Sequence, residues 1–173
     1  MITVISATQR TGSLTAGVAL SYSQLLDRKH IDNQILYLSD LGPKELFENF
    51  NGEFTNSFSE LVEKYLKNSE KFVVISPEYH GSYPGIFKSF IDCVGPKFFK
   101  TKKVALVGVS SGRAGNIRGM DHMTSLFHHL RTEVYSDQVI LSGIERLIND
   151  SGQIIDLESL NLINAQIVGF ISF

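Results

Sequence analysis

Between residues 6 and 17 the sequence reads SATQRTGSLTAG, with Thr8, Arg10, Thr11, Ser13 and Thr15 close together and no carboxylate among them. Hydroxyls donate hydrogen bonds, and a guanidinium donates charge-assisted ones. A helix starting near Ser13 or Leu14 would add free amides and the positive end of its dipole. By composition this is a cradle for a terminal phosphate. It is not a Walker loop, because the stretch has no lysine, and Gly12 is the only glycine of the turn, against the several of a dinucleotide fingerprint. A loop of turn formers that merely caps a helix would have the same composition.

Two later segments could border a flat ligand. In SPEYHGSYPGIFKSFIDCV (76–94), Pro77 and Pro84 stiffen the backbone, while Gly81 and Gly85 allow close approach. Tyr79, His80 and Tyr83 supply ring faces with polar tips. The third segment, GVSSGRAGNIRG (108–119), is glycine-rich and has little side chain to obstruct a planar group. Arg113 and Arg118 in or beside it could meet the phosphates of a nicotinamide cofactor or simply face solvent. No metal site is expected. His122, His128 and His129 are poorly spaced for one, since neighbouring helical residues point about 100° apart. Cys93 is the only cysteine, so an intramolecular disulfide and a cysteine-rich metal site are excluded. It reads as a small buried hydrophobe.

The elements that must position these loops follow from the pattern of apolar runs. With 173 residues, 43% apolar and 20% charged, the chain suits one soluble domain, residues 1–173. The net charge of −2 offers no basic field for nucleic acid or anionic lipid. No apolar run is long enough to cross a membrane, and no signal peptide is read, so a cytoplasmic location is expected. Strands are predicted at Ile2–Ser6, Asn33–Leu38, Lys71–Ser76, Lys103–Val109 and Gln138–Leu141. KFVVIS and KVALVGVS lack polar alternation, as strands buried on both faces should. Helical stripes run through Leu14, Val18, Tyr22 and Leu25, and through Phe58, Leu61, Val62, Tyr65 and Leu66 behind a Ser57-x-x-Glu60 capping box. Further stripes are Ile86–Val94, Met120 to Leu130, and Leu160 to Ile171 with Asp156 as cap. The acidic, aromatic stretch SDLGPKELFENFNGEF reads as a loop containing some helix. Strands alternating with helices imply a parallel sheet covered on both faces, and ligands of such sheets bind at the carboxyl ends of the strands. All three loops follow strand ends.

SATQRTGSLT, PEYHGSYPGIFKSFID and SSGRAGNIRG, in this order, resemble the signature segments of the NAD(P)H-dependent FMN reductase family, which includes quinone, chromate and azo-dye reductases. The resemblance implies a flavodoxin-like α/β three-layer sandwich, a five-stranded parallel sheet of order 2-1-3-4-5 with helices on both faces. It implies that Thr8, Arg10, Ser13 and Thr15 hold the FMN phosphate, and that Pro77, Glu78, Tyr79, His80, Gly81 and Ser82 border the ring. Ser110, Ser111, Gly112 and Gly115 would complete the pocket. The chain departs from the family at Ala7-Thr8 (commonly Gly-Ser), Thr15 and His80 (often Asn), and Cys93 (commonly aromatic). The implied activity passes hydride from NADPH or NADH through FMN to a quinone, free flavin or similar small acceptor. Flavin chemistry would need no catalytic side chain, with His80 a candidate substrate contact. A homodimer or tetramer is expected, the aromatic-rich helix Ile86–Val94 helping to pack subunits beside the flavin sites. An FMN electron carrier or redox sensor would show the same loops. A dinucleotide-binding domain with Asp40 on the ribose is disfavoured by the single glycine in the first turn.

Overall fold

The computed structural model describes residues 1–173, the side chain of Pro43 excepted. Six strands form one parallel sheet: β1 (Ile2–Ser6), β2 (Asn33–Tyr37), β3 (Lys71–Pro77), β4 (Lys103–Ser110), β5 (Glu133–Val134) and β6 (Val139–Ser142). The order is β2-β1-β3-β4, and both β5 and β6 pair with β4. The helices are α1 (Leu14–Arg28), α2 (Pro43–Asn49), α3 (Asn56–Val62), α4 (Gly85–Val94), α5 (Ile117–His129) and α6 (Leu157–Ser172). This is the expected flavodoxin-like sandwich, and α2 is the helix inside the acidic, aromatic stretch.

Central strands are apolar throughout because each of their faces meets a different core. Phe72, Val74, Val104 and Leu106 pack with Phe58, Phe87, Phe90 and Phe127 beneath α3, α4 and α5. Val73, Ile75, Ala105 and Val107 face the opposite way, onto Val18, Tyr22, Ile163 and Phe170 of α1 and α6. Side chains alternate across a strand, so a run such as FVVI feeds both cores at once.

Three expectations need correction. The edge carries one strand more than the five expected: the predicted Gln138–Leu141 is β6, and the short β5 precedes it along the same side of β4. Val104 pairs with Val134 and Val107 with Val139, so Ala105 and Leu106 stand opposite the longer stretch 135–138. That break leaves carbonyls without ladder partners inside the protein. The buried Gln166 of α6 answers them, its Nε2 donating to Leu106 O (3.0 Å) and Asp137 O (2.8 Å) while its Oε1 accepts from the Tyr22 hydroxyl (3.0 Å). Second, the Ser57-x-x-Glu60 box does not form. Thr55 caps α3, its Oγ1 accepting from Phe58 N (3.4 Å), and Ser57 lies within the first turn. The helix then continues as a π-helical turn, Glu63–Lys67. Third, Phe87 and Phe90 of α4 are wholly buried in the chain's own core, so those aromatics are not free to meet another subunit.

Among the described residues no helix is long and apolar enough to cross a membrane. Burial raises the Cys93 thiol pKa above its ordinary value, as suits a packed side chain.

Candidate functional site

The first loop leaves β1 and enters α1 at Ser13, whose extended backbone makes it the N-cap. Its Oγ accepts from Ala16 N (3.2 Å), and the amides of Leu14 and Thr15, which open α1, have no intrahelical partner. Thr8 is buried, and its Oγ1 lies 3.0 Å from the Tyr79 hydroxyl while accepting from Arg10 N (3.3 Å). The Arg10 guanidinium sits over the Tyr79 ring, 4.8 Å from its centroid. Gly12 has φ +66°, and nothing approaches the position a Cβ would take, so the loop stays open at its crown.

The second loop extends β3 and turns back at once. Tyr79 N donates to Ser82 O (2.8 Å) and Ser82 N to Tyr79 O (3.1 Å), closing a two-residue hairpin. Its two central residues, His80 (φ 53°) and Gly81 (φ 75°), are both left-handed. Two-residue hairpins favour this backbone because it matches strand twist, and Asn and Gly adopt it most readily. His80 therefore occupies a position that costs most side chains energy.

The third loop is closed by Ser110, whose Oγ donates to Gly112 O (2.8 Å) and accepts from Gly115 N (2.9 Å). Gly115 has φ +56° and lies against Ile140, where a Cβ would collide. Asn116 follows in the left-handed region (φ 64°) and heads α5. Its Nδ2 donates to Ser76 O (3.0 Å) and Pro77 O (3.0 Å), and its backbone N–H donates to Glu78 Oε2 (3.3 Å). Asn116 thus ties the end of β3 to the start of α5.

These loops converge on an open cavity of about 330 Å³ at the carboxyl edge of the sheet. That lies in the size range of small-molecule sites. Thr8, Arg10, Ser13 and Thr15 line one side, Pro77, Glu78 and Tyr79 another, and Ser110 and Ser111 a third. Thr11, Gly12, Leu14 and Val109 complete those loops, and Ile144 enters from the turn behind β6. His80, Gly81, Ser82, Gly112 and Gly115 stand outside this lining. His80 is exposed at the hairpin tip, Gly81 lies against the Arg118 guanidinium (3.6 Å from a Cβ position), and Ser82 Oγ is 2.9 Å from His122 Nδ1. Arg113 is exposed, and its carbonyl accepts from Ser142 Oγ (2.8 Å). A hydrogen bond from the Ser111 hydroxyl holds the Glu145 carboxyl below its usual pKa.

Two contributors escaped the sequence reading. Ile144 follows the carboxyl end of the last strand, which is the signal that could have found it. Asn116 lies inside a quoted motif but works through its side-chain amide and its left-handed backbone, which no spacing rule reports. Among the described residues no group of His, Cys, Asp and Glu side chains is placed to hold a metal.

The residues fit a phosphate monoester. Hydroxyls, a guanidinium and helix amides gather on one wall, and Glu78, the carboxylate of the lining, belongs to another. A model of the NADPH-dependent FMN reductase family matches residues 1–145. The chain is 31% identical over 110 residues to an NADPH azoreductase of Bacillus sp. (strain OY1-2), covering 62% of this chain and 61% of that protein. It is 29% identical over 113 residues to an FMN-dependent NADPH-azoreductase of Staphylococcus saprophyticus, covering 63% and 60%. The match thus spans about three fifths of each relative's length. Among solved structures it resembles FerB, a flavoenzyme NAD(P)H:(acceptor) oxidoreductase from Paracoccus denitrificans, with a TM-score of 0.82 at 20% identity, over 99% of this chain and 94% of that one.

Proposed function

The chain belongs to the NADPH-dependent FMN reductase family, and from that premise we propose that it is an FMN-dependent oxidoreductase. It takes reducing equivalents from NADPH or NADH to a small acceptor such as a quinone, a free flavin or an azo compound. The last class is suggested by the two azoreductase relatives. One observation carries the reading: the hydroxyls and guanidinium of the first loop share a single cavity with Pro77, Glu78, Tyr79 and Ser111 from two other strand ends.

Thr8, Arg10, Ser13 and Thr15 hold the phosphate, aided by the first amides of α1. Arg10 donates to it from its place over the Tyr79 ring, where the cation–π contact is worth about 0.5–1 kcal/mol and a hydrogen bond to a charged group about 1.5–3 kcal/mol. The backbone from Pro77 to Ser82 borders the ring, with Asn116 fixing the direction of the Ser76 and Pro77 carbonyls and the hairpin fixing Tyr79. Ser110 shapes the third loop, so that Ser111, Gly112 and Gly115 form the remaining edge. Arg118, beside Gly81, is placed for the phosphates of the nicotinamide donor. FMN would supply the two-electron chemistry, accepting hydride from the nicotinamide and delivering it to the acceptor. The enzyme works as a soluble cytoplasmic homodimer or tetramer of a single-domain subunit.

Turnover separates this enzyme from a flavin-binding electron carrier. Anaerobic addition of NADPH or NADH to the FMN-loaded protein should bleach the flavin absorption, and an added quinone should restore it. An oxidised spectrum that persists for minutes under excess of both nucleotides would refute the reductase reading.

A further inference from the structure

We infer that the chain has a second anion site, at the amino edge of the sheet, which takes the phosphate chain of a compact polyphosphate. Lys71 and Lys103 hold it from one face of the sheet, Lys67 and Lys102 from the other. The site is separate from the reductase cavity and needs nothing from that reading.

Two short basic segments, LKNSEK (66–71) and KTKK (100–103), lead into β3 and β4. The net charge of −2 hides this local concentration. Lys71 and Lys103 are register partners, so their side chains leave the same face of the sheet. There Lys71 Nζ donates to Phe170 O (2.8 Å) and Ile171 O (2.7 Å), and Lys103 Nζ donates to Phe173 O, at the end of α6. Lys102 serves the opposite face. Its Nζ lies 5.4 Å from the Phe72 ring centroid and donates to Leu66 O, in the π-helical turn that also carries Lys67. All four lysines line one cavity of about 420 Å³ that straddles the edge of the sheet.

These lysines differ from ordinary surface ones in being held. Lys71, Lys102 and Lys103 each lie over a phenylalanine ring and tie their ammonium to a carbonyl. A free lysine loses rotamer entropy on meeting a ligand, and folding has already fixed these. An ammonium has three donors; Lys71 uses two on the protein and Lys103 one, so both keep donors for a ligand. Negative charge is scarce around them. Glu70 is the one carboxylate of the lining, and Lys67 already shares its charge with Glu63 (3.0 Å). Burial lowers the Lys71 pKa, Lys103 lowers it further, and Glu70 opposes both. Burial lowers Lys102 as well, again against Glu70. An oxyanion in the cavity relieves this crowding of cations and forms charge-assisted hydrogen bonds with them. Among the described residues the lining has no aromatic side chain to stack a base, so the phosphate chain is what is recognised. The seven residues of β3, at about 3.3 Å each, separate this cavity from the FMN cavity by roughly 20 Å. That exceeds the screening length of about 10 Å, so the two sites act independently.

The test is calorimetric titration of the full FMN-saturated chain with inorganic tripolyphosphate, ATP and sulfate at low salt. Tripolyphosphate should bind at one site, ATP within about threefold of it, and sulfate at least about tenfold more weakly, having fewer charges for the four ammoniums. Raising the salt to about 200 mM should weaken tripolyphosphate at least about fivefold. Lys71→Gln with Lys102→Gln should weaken it at least about tenfold, glutamine keeping a donor for the carbonyls. Lys67→Gln with Lys103→Gln should act likewise, and these two ammoniums make fewer contacts to the fold. Unchanged FMN content and thermal midpoint exclude misfolding. Tripolyphosphate bound no better than sulfate, or indifferent to both lysine pairs, overturns the site and leaves these lysines as caps of helix ends. ATP more than about tenfold tighter than tripolyphosphate overturns recognition by the phosphate chain. Affinity lost instead on Arg118→Gln puts the anion beside the reductase cavity and also overturns the inference.

Discussion

The hydroxyl of Thr8 and that of Tyr79 lie 3.0 Å apart, joining the loops that leave β1 and β3. The same tyrosine ring carries the Arg10 guanidinium, so one side chain organises both polar ends of the phosphate wall. Tyr79→Phe keeps the ring and removes the hydroxyl. It should destabilise the protein by about 1 kcal/mol, the usual net worth of a hydrogen bond, as measured by urea denaturation. Tyr79→Ala should also release Arg10 and weaken FMN binding further than Phe does. Equal effects from the two would mean the ring does not position Arg10.

Asn116 tests the tie between β3 and α5. Asn116→Gly removes the amide but keeps the left-handed backbone, whereas Asn116→Ala removes the amide and strains that backbone. Ala should therefore be the worse of the two by about 1–2 kcal/mol. Both should loosen FMN, since the Ser76 and Pro77 carbonyls lose their donor. If Ala is no worse than Gly, the φ of +64° is not costing anything.

At the hairpin tip His80→Asn and His80→Gly should be neutral or stabilising by up to about 1 kcal/mol, and His80→Val destabilising, because only the first two tolerate positive φ. FMN affinity of His80→Asn should stay within about tenfold of wild type, or about 1.4 kcal/mol. Acceptor preference and the pH dependence of flavin reoxidation are the quantities expected to move if this ring meets substrate. If both stay fixed, His80 serves the turn alone.

Asp156 caps α6, accepting from Ser159 N at 2.8 Å, and that bond lowers its carboxyl pKa below the ordinary 3.8. A lowered native pKa means the unfolded chain takes up the proton first. The stabilisation is therefore complete well above 3.8 and fades as pH falls through the native value. Asp156→Asn, which can still cap, should flatten this part of the acid limb in thermal melts between neutral pH and pH about 2. An unaltered acid limb would remove Asp156 from the account.

The sheet was legible because its strands are buried on both faces, so KFVVIS and KVALVGVS announce themselves without alternation. The edge was not. The break between β5 and β6 is tolerated because Gln166, from the last helix, meets Leu106 and Asp137, and a partner so distant leaves no local mark. The cap of α3 was misplaced because Ser57-x-x-Glu60 satisfies the motif while Thr55, just upstream, has the extended backbone a cap needs. In the site, the first loop was readable from its hydroxyls. His80 and Gly81 were readable as residue types but not as a hairpin, since their placement depends on the Tyr79–Ser82 pairing.

The central claim is that residues 8–15 hold a terminal phosphate. FMN and riboflavin share ring and ribityl chain and differ in that phosphate, so titrating apoprotein with each by flavin fluorescence isolates its contribution. Several hydrogen bonds to a charged group, at about 1.5–3 kcal/mol each and not fully additive, predict a preference for FMN of roughly a hundredfold to ten-thousandfold. Arg10→Ala should erode that preference and leave riboflavin affinity nearly unchanged. Equal affinity for FMN and riboflavin would contradict the account and leave Thr8, Ser13 and Thr15 as the turn and cap of an ordinary helix.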